Sequence, residues 1–257
     1  MKKRVEDLKV TENRRLTEGF FLLRVQSADG LPEIRPGQFV QALVDDSPAT
    51  FLRRPLSVHD VDTGSGTLSL LVQAVGPGTE RLSRLTPGDR LNLIYPLGNS
   101  FTLPLAGEKV ILTGGGCGMA PLLYLARKIS ESGVQPHFAL GFRNRSRILE
   151  HDEFLKLGPV WISTEDGSQG HKGFVTDIPA FREEEWDRVY CCGPEPMMMA
   201  VAAECRRRNI FCEVSLENLM ACGMGICLCC VVPTTSGNLC SCTDGPVFNI
   251  NHLKWQT

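Results

Sequence analysis

The sequence predicts an α+β multi-domain chain. Residues 1–103 read as an antiparallel β-barrel, 104–211 as an α/β domain built on a parallel sheet, and 212–257 as a small cysteine-rich module. Three observations predict this. Short β-like runs separated by glycine and proline turns fill the first part. From Glu108 onward strands alternate with helical stretches, opened by a run of glycines. Six of the eleven cysteines then crowd into residues 222–242. A length of 257 residues suits about two domains, and a hydrophobic content of 42% is enough for real cores.

In the first part, residues 19–26, 38–44 and 67–75 are strand-like, bounded by Asp29-Gly30, Pro36-Gly37, Gly64 to Gly66, Pro77-Gly78 and Pro87-Gly88. Short strands at this spacing suggest a small barrel. A helix is expected over 79–85, with Thr79 as its cap. Arg53, Arg54, Pro55, Leu56 and Ser57 stand together on an extended segment. The planar donor fork of arginine suits a diphosphate, although a polar strand edge explains the pair equally well. Gly76 to Thr79 at a helix start is a second candidate anion site, or an ordinary turn and cap.

In the second part, residues 109–113 form a buried strand. Gly114, Gly115, Gly116, Cys117 and Gly118 follow, then Ala120-Pro121 and a helix over 122–129. Strand, glycine turn and helix open a nucleotide-binding unit. A structural tight turn is the plainer alternative. Residues 137–140, 160–163 and 188–191 supply further strands. Ligands of such sheets sit beyond the carboxyl ends of the strands. Cys192 and Gly193 should therefore face the same crevice as Gly114–Gly118, unless Cys192 is simply a small buried hydrophobe. Glu165-Asp166 ends another strand, where an acid could hold a ribose hydroxyl or merely make a turn. Met197 to Met199 read as helix core; Arg206 to Arg208 could reach a 2′-phosphate, but read better as a solvated helix end with a favourable dipole.

In the third part, Cys222, Cys227 and Cys230 fit C-x4-C-x2-C with Cys242 downstream, the plant-type spacing for a [2Fe–2S] cluster. Gly223 and Gly225 let the backbone wrap an inorganic core. Zinc is the rival, but its ligands come as two short paired arms, which this spacing does not match. Buried structural cysteines are the plain reading. Cys229 and Cys240 are surplus; Cys242 is preferred as fourth ligand because the turn Asp244-Gly245-Pro246 follows it, with Cys240 kept open.

A net charge of −2 without long charge runs gives no reason to expect nucleic acid. No run approaches the roughly 18 apolar residues of a membrane span, and the charged start lacks the apolar core of a signal peptide. Cysteines clustered for metal rather than spread for disulfides point to a reducing, cytoplasmic setting.

The order of these motifs resembles the ferredoxin–NADP reductase superfamily. The tail from Ser215 to Phe248, together with residues 164–177, narrows the resemblance to the electron-transfer subunits of NAD-dependent (type B) dihydroorotate dehydrogenase, over nearly the whole chain. The resemblance implies FAD on the barrel, contacted by Arg54, Pro55, Leu56, Ser57, Leu71, Val72, Gln73, Gly78 and Thr79. It implies NAD in the sheet domain, where the strand-end reading above offers Gly114, Gly115, Gly116, Gly118 and Gly193, with Cys192 beside the nicotinamide as the catalytic candidate. It also implies a [2Fe–2S] cluster on Cys222, Cys227, Cys230 and Cys242. One departure is Val72-Gln73, where the family often carries an aromatic and a basic residue. The activity implied is a relay: electrons pass from dihydroorotate, by way of the FMN of a catalytic partner, through the cluster and FAD to NAD+. The assembly implied is a heterotetramer of two subunits of each kind. The rival expectations are a flavin subunit of a hydrogenase or a ferredoxin-dependent transhydrogenase, a flavin reductase with a zinc module, and a zinc-stabilised binding protein without activity.

Overall fold

The structure, a computed structural model, describes residues 3–44 and 50–255. Its first layer is an antiparallel sheet of β1 (Arg4–Thr17), β2 (Phe20–Gln26), β3 (Phe39–Ala42), β4 (Arg54–Ser57), β5 (Asp60–Asp62), β6 (Thr67–Gln73) and β7 (Arg90–Leu97). Strand order is β4-β3-β7-β1-β2-β6-β5, and the sheet curls until β4 approaches β6. Alternation along the strands separates two sides. Phe21, Leu23, Val25, Leu68, Leu70 and Val72 fill the barrel interior. Phe20 and Leu71 point the other way, into the core of the following domain.

The helix expected at 79–85 starts earlier, as α1 (Pro77–Leu82) after an extended Gly76. Proline tolerates the first helical turn because it has no N–H to lose there. Thr79 is therefore not the cap. It sits in the first turn, where its Oγ1 reaches back to accept from the Val75 and Gly76 N–H groups at 2.9 and 3.3 Å.

The second layer begins with β8 (Val110–Gly115), α2 (Leu122–Glu131), β9 (Pro136–Phe142), α3 (His151–Leu155), β10 (Val160–Thr164) and β11 (His171–Lys172). It continues with α4 (Pro179–Glu183), β12 (Arg188–Cys192), α5 (Glu195–Arg208) and β13 (Phe211–Ser215). The tail adds a hairpin, β14 (Val231–Thr234) and β15 (Gly237–Cys240), then β16 (Val247–Asn249). Sheet order is β11-β10-β9-β8-β12-β13-β16, parallel except for the antiparallel β16. Central strands of such a sheet are apolar on both faces. Val110 and Leu112 accordingly belong to one core and Ile111 to the other. The expected 211/212 boundary falls on the first residue of β13, and the tail returns to this sheet through β16. Among the described residues, no helix is long and apolar enough to cross a membrane.

Candidate functional site

The second sheet starts at its centre with β8, runs outward through β9 and β10, and comes back on the other side through β12. The reversal lies between β8 and β12, where an open α/β sheet leaves a crevice beyond its strand ends. Cys192 pairs with Gly114 there, so the glycine turn and the Cys192–Met197 turn stand side by side. They touch closely. A Cβ on Gly118 would fall 2.3 Å from the Cys192 carbonyl oxygen, and one on Gly115 would fall 2.5 Å from the Met197 sulfur. Only glycine lets two backbones meet at this distance.

Above this floor lies a cavity of about 830 Å³. Gly115, Gly116, Gly118, Gly193 and Met197 line one side, and Phe20 and Gln73 of the barrel line another. It extends past Gly141 to Glu165 and Thr176. This size, with bare backbone at a strand-end crevice, suits a dinucleotide. Of the expected acid pair, Glu165 lines the cavity, whereas Asp166 makes the turn, accepting from Ser168 N and Oγ. Arg206 and Arg208 are turned elsewhere, donating to the carbonyls of Ile250, Phe181 and Glu184.

Cys192 is 1% exposed and its thiol does not line the cavity. Burial pushes that thiol far up, which keeps it neutral. The cysteine that lines the cavity is Cys117, whose thiol lies 4.0 Å from the Leu71 carbonyl and is pushed up to about 12 by burial. Glu217 opens onto the same cavity from the tail. The side chain is exposed at the mouth, and desolvation by the surrounding protein raises its carboxyl. Sequence spacing did not single out Phe20, Cys117 or Glu217 for this site.

On the barrel, the two candidate anion sites converge. A Cβ on Gly78 would lie 2.5 Å from Arg54 Nε, so the guanidinium rests on the first turn of α1. Arg53 instead turns to the barrel itself, donating to Gln41 O, Asn92 O and Asn92 Oδ1. Arg54, with Nη1 on the Leu52 carbonyl at 2.9 Å, thus stays near Gly78 as a cradle suited to a diphosphate. Leu71 and Val72 are buried, and Gln73 beyond them reaches the cavity. The segment carrying the expected flavin contacts therefore adjoins the dinucleotide crevice.

The tail folds its thiols onto the barrel. Cys230, Cys240 and Cys242 are buried against Phe39 and Leu97 of β3 and β7. Cys222 is half-buried and Cys227 is exposed. Gly223, at φ +67°, packs so closely on Gln41 that a Cβ would meet its side chain at 2.7 Å. The backbone donates to sulfur, Met224 N to Cys222 Sγ at 3.3 Å and Gly225 N to Cys242 Sγ at 3.1 Å. Partial burial opposes ionisation of Cys222, but the N–H groups of Met224, Cys227 and Ile226 outweigh it and bring the thiol down to about 6. Burial and neighbouring Cys230 push Cys242 up to about 12, so a bound cation is needed to hold it as thiolate. Among the described residues, no three His, Cys, Asp or Glu side chains gather as they would around a single ion. A two-iron core takes its four thiolates as two pairs, and the donor set and N–H···S bonds fit that chemistry.

Barrel, strand-end crevice and thiol loop together define a flavin- and nicotinamide-linked reductase with an iron–sulfur module. The model for the iron–sulfur cluster binding domain of dihydroorotate dehydrogenase B matches residues 217–254. The dihydroorotate dehydrogenase B (NAD(+)) electron transfer subunit of Clostridium acetobutylicum is 41% identical over 249 residues, covering 96% of each chain. That of Shouchella clausii is 40% identical over 225 residues, covering 85% of this chain and 86% of its own. The chain belongs to this family of electron-transfer subunits. Among solved structures, one of an NADH-dependent reduced ferredoxin–NADP oxidoreductase matches with a TM-score of 0.88 and 31% identity, over 96% of this chain and 90% of that one. The ferredoxin reductase of carbazole 1,9a-dioxygenase, at TM-score 0.69 and 21% identity over 82% and 67%, shares the fold.

Proposed function

We propose that the chain carries electrons between an FMN-holding dihydroorotate dehydrogenase subunit and NAD+. One observation carries the reading: the barrel stands between the other two sites and touches both. Phe20 and Gln73 wall the dinucleotide cavity, while Phe39, Leu97 and Gln41 hold the thiol loop. When bound, FAD exchanges electrons singly or in pairs, NAD takes them as hydride, and a [2Fe–2S] centre carries one at a time.

In this reading the residues of the chain bind and orient. Arg54 and Gly78 hold the diphosphate of FAD, with Pro55, Leu56, Ser57 and Thr79 beside it. The backbone of Leu71, Val72 and Gln73 presents the flavin edge. This accommodates the missing aromatic and basic side chains at Val72 and Gln73, because backbone contacts do not depend on them. Gly115, Gly116, Gly118 and Gly193 give NAD close access to the crevice floor, while Gly114 lies beneath it, packed against Leu122, Met119 and Leu140. Cys192 shapes that floor with its carbonyl, which stands against Gly118. Cys222, Cys227, Cys230 and Cys242 hold the cluster, with Cys240 packed beside Cys230.

Leu219, Ile226 and Leu228 are 83%, 79% and 62% exposed on the thiol loop, around the outward-facing Cys227. Apolar side chains exposed together mark a docking face, and the catalytic subunit would cover this one in a heterotetramer of two subunits of each kind. A cluster held by free thiols belongs in the reducing cytoplasm. The similarity to the NADH-dependent ferredoxin–NADP oxidoreductase supports a second reading, in which the partner is a transhydrogenase subunit.

Purification from the native host tests both. The first reading expects an FMN-holding dihydroorotate-oxidising subunit to co-purify. The chain alone should oxidise NADH with artificial acceptors and leave dihydroorotate untouched. Dihydroorotate oxidation by the chain alone would sink the relay, and a transhydrogenase partner would favour the second reading.

A further inference from the structure

One buried histidine ties the barrel to the nucleotide domain. His59 lies between β4 and β5 and is 1% exposed. Its backbone N–H donates to Ser69 O on β6 at 2.9 Å, and its carbonyl accepts from Tyr124 N on α2 at 3.1 Å. Its ring Nδ1 is 2.9 Å from the carbonyl oxygen of Ala120, where the glycine turn ends. A carbonyl can only accept, so Nδ1 carries a proton. The other nitrogen, Nε2, is 3.7 Å from Glu150 Oε2, longer than a hydrogen bond, and it has no hydrogen-bond partner. Glu150 opens α3 with a side chain only 7% exposed and φ of 50°, a left-handed conformation that a non-glycine residue adopts only when its surroundings hold it. The ring of His59 thus donates to the turn through Nδ1 and turns its buried, unpartnered Nε2 toward the Glu150 carboxyl.

The surrounding charges complete the seam. Arg14 of β1 approaches the other Glu150 oxygen at 3.8 Å. Next to His59, Asp60 pairs with Arg127 of α2 at 3.3 Å, and Arg127 in turn reaches Glu153 of α3 at 3.8 Å. Contact with His59 outweighs burial and holds the Glu150 carboxyl below its ordinary range. Neither His59 nor Glu150 lines the cavity.

We propose that His59 and Glu150 form a buried polar latch that positions the Gly114–Ala120 turn against strand β6, and so sets how closely a nicotinamide in the crevice approaches a flavin on the barrel. The inference rests on the cofactor reading above. Ser69 stands on the strand that continues into Leu71–Gln73, and Ala120 follows directly on the glycine turn. One residue therefore joins the two elements, its backbone N–H held by the strand that presents one reactant and its ring by the turn that receives the other. These are positioning residues: they act on geometry without touching either reactant.

The test uses the full chain with its flavin, reduced anaerobically by NADH in single turnover. Variants are His59→Ala, the near-isosteric Glu150→Gln, and both together. The limiting rate at saturating NADH should fall by about tenfold or more, because a misplacement on the order of 1 Å is enough for such a loss. The apparent Kd for NADH should stay within about threefold, since the turn shifts with all its lining groups still in place. The long-wavelength charge-transfer absorbance of stacked nicotinamide and flavin should weaken. The double variant should be no slower than the slower single one, as for two halves of one contact. Should His59→Ala fail to fold, Glu150→Gln carries the test. A limiting rate unchanged in Glu150→Gln, or a loss seen only in NADH affinity, overturns the latch while wild-type reduction by NADH leaves the cofactor reading standing. A wild-type flavin that NADH does not reduce overturns both.

Discussion

The close approach of two backbones at the crevice floor makes Gly118→Ala the most direct test of the site. Its backbone angle is unremarkable, so space alone is at issue. The new Cβ would stand 2.3 Å from the Cys192 oxygen and 2.4 Å from both the Cys192 carbonyl carbon and Gly193 N, where ordinary contact begins at 3.4 Å. Backbone has to yield by about 1 Å, and overpacking of this kind costs about 1–3 kcal/mol. For a chain of this size each kcal/mol lowers Tm by roughly 2–4 °C. The larger effect should be kinetic. In the proposed reading the shifted turn would be the floor under the nicotinamide nucleotide, and such a displacement is worth about 100-fold in hydride transfer. The flavin site on the barrel is not touched, so flavin content should hold. Gly116→Ala is the contrasting variant. At φ +55° with no atom within 4 Å, it should cost about 1–2 kcal/mol through backbone strain without pushing the opposing turn. Thermal melts, flavin absorbance and stopped-flow reduction by NADH read out both variants. A Gly118→Ala chain with wild-type Tm and wild-type reduction rate would show that the two turns do not meet as described.

Three further outcomes are expected. Arg54→Ala should weaken flavin retention by about 1.5–3 kcal/mol, the worth of a charge-assisted hydrogen bond, with iron content unchanged; equal flavin occupancy after dialysis would count against it. Cys227→Ser should lose iron and sulfide and abolish coupled dihydroorotate:NAD+ turnover while largely sparing NADH-to-dye activity; full coupled turnover would remove Cys227 from the relay. Glu150 has its folded carboxyl depressed below the ordinary 4.5, chiefly by His59. Its stabilising contribution is complete above that value and disappears as pH falls through the lower folded one. The Tm gap between wild type and Glu150→Gln should therefore narrow in acid, and a gap independent of pH would refute the pairing.

The turn dipeptides and the change from clustered strands to alternating strands and helices made both large layers legible in the sequence. The strand β1 was not picked out. Its Glu6, Asp7, Lys9 and Glu12 interrupt any apolar alternation, and it is held by ladders to β2 and β7 on both sides more than by a buried face. Cys192 marked the end of a central strand correctly, but such a strand is covered on both faces. Cys191 and Cys192 each enter a core, and the crevice opens one residue later, at Gly193. Phe20, Cys117 and Glu217 come from three separate parts of the chain, and only the packing of barrel, turn and tail brings them to one cavity. His59 and Glu150 likewise meet across the domain seam, where no local pattern announces a partner.

The same packing explains why the thiol loop has two sides. Cys230 and Cys242 are pressed against Phe39 and Leu97, while Cys227 faces outward among Ile226 and Leu228. If the whole loop were a structural staple, burial of all its thiols would serve it better, and exposed leucine and isoleucine would only add a liability to aggregation. A loop that takes electrons from a partner and hands them to the barrel needs one exposed apolar side for docking and one side bonded to the barrel. The Gln41 contact at Gly223 and the N–H···S bonds at Cys222 and Cys242 fix the loop from within. The outer residues Leu219, Ile226 and Leu228 can then be covered by another subunit without rearranging the thiols.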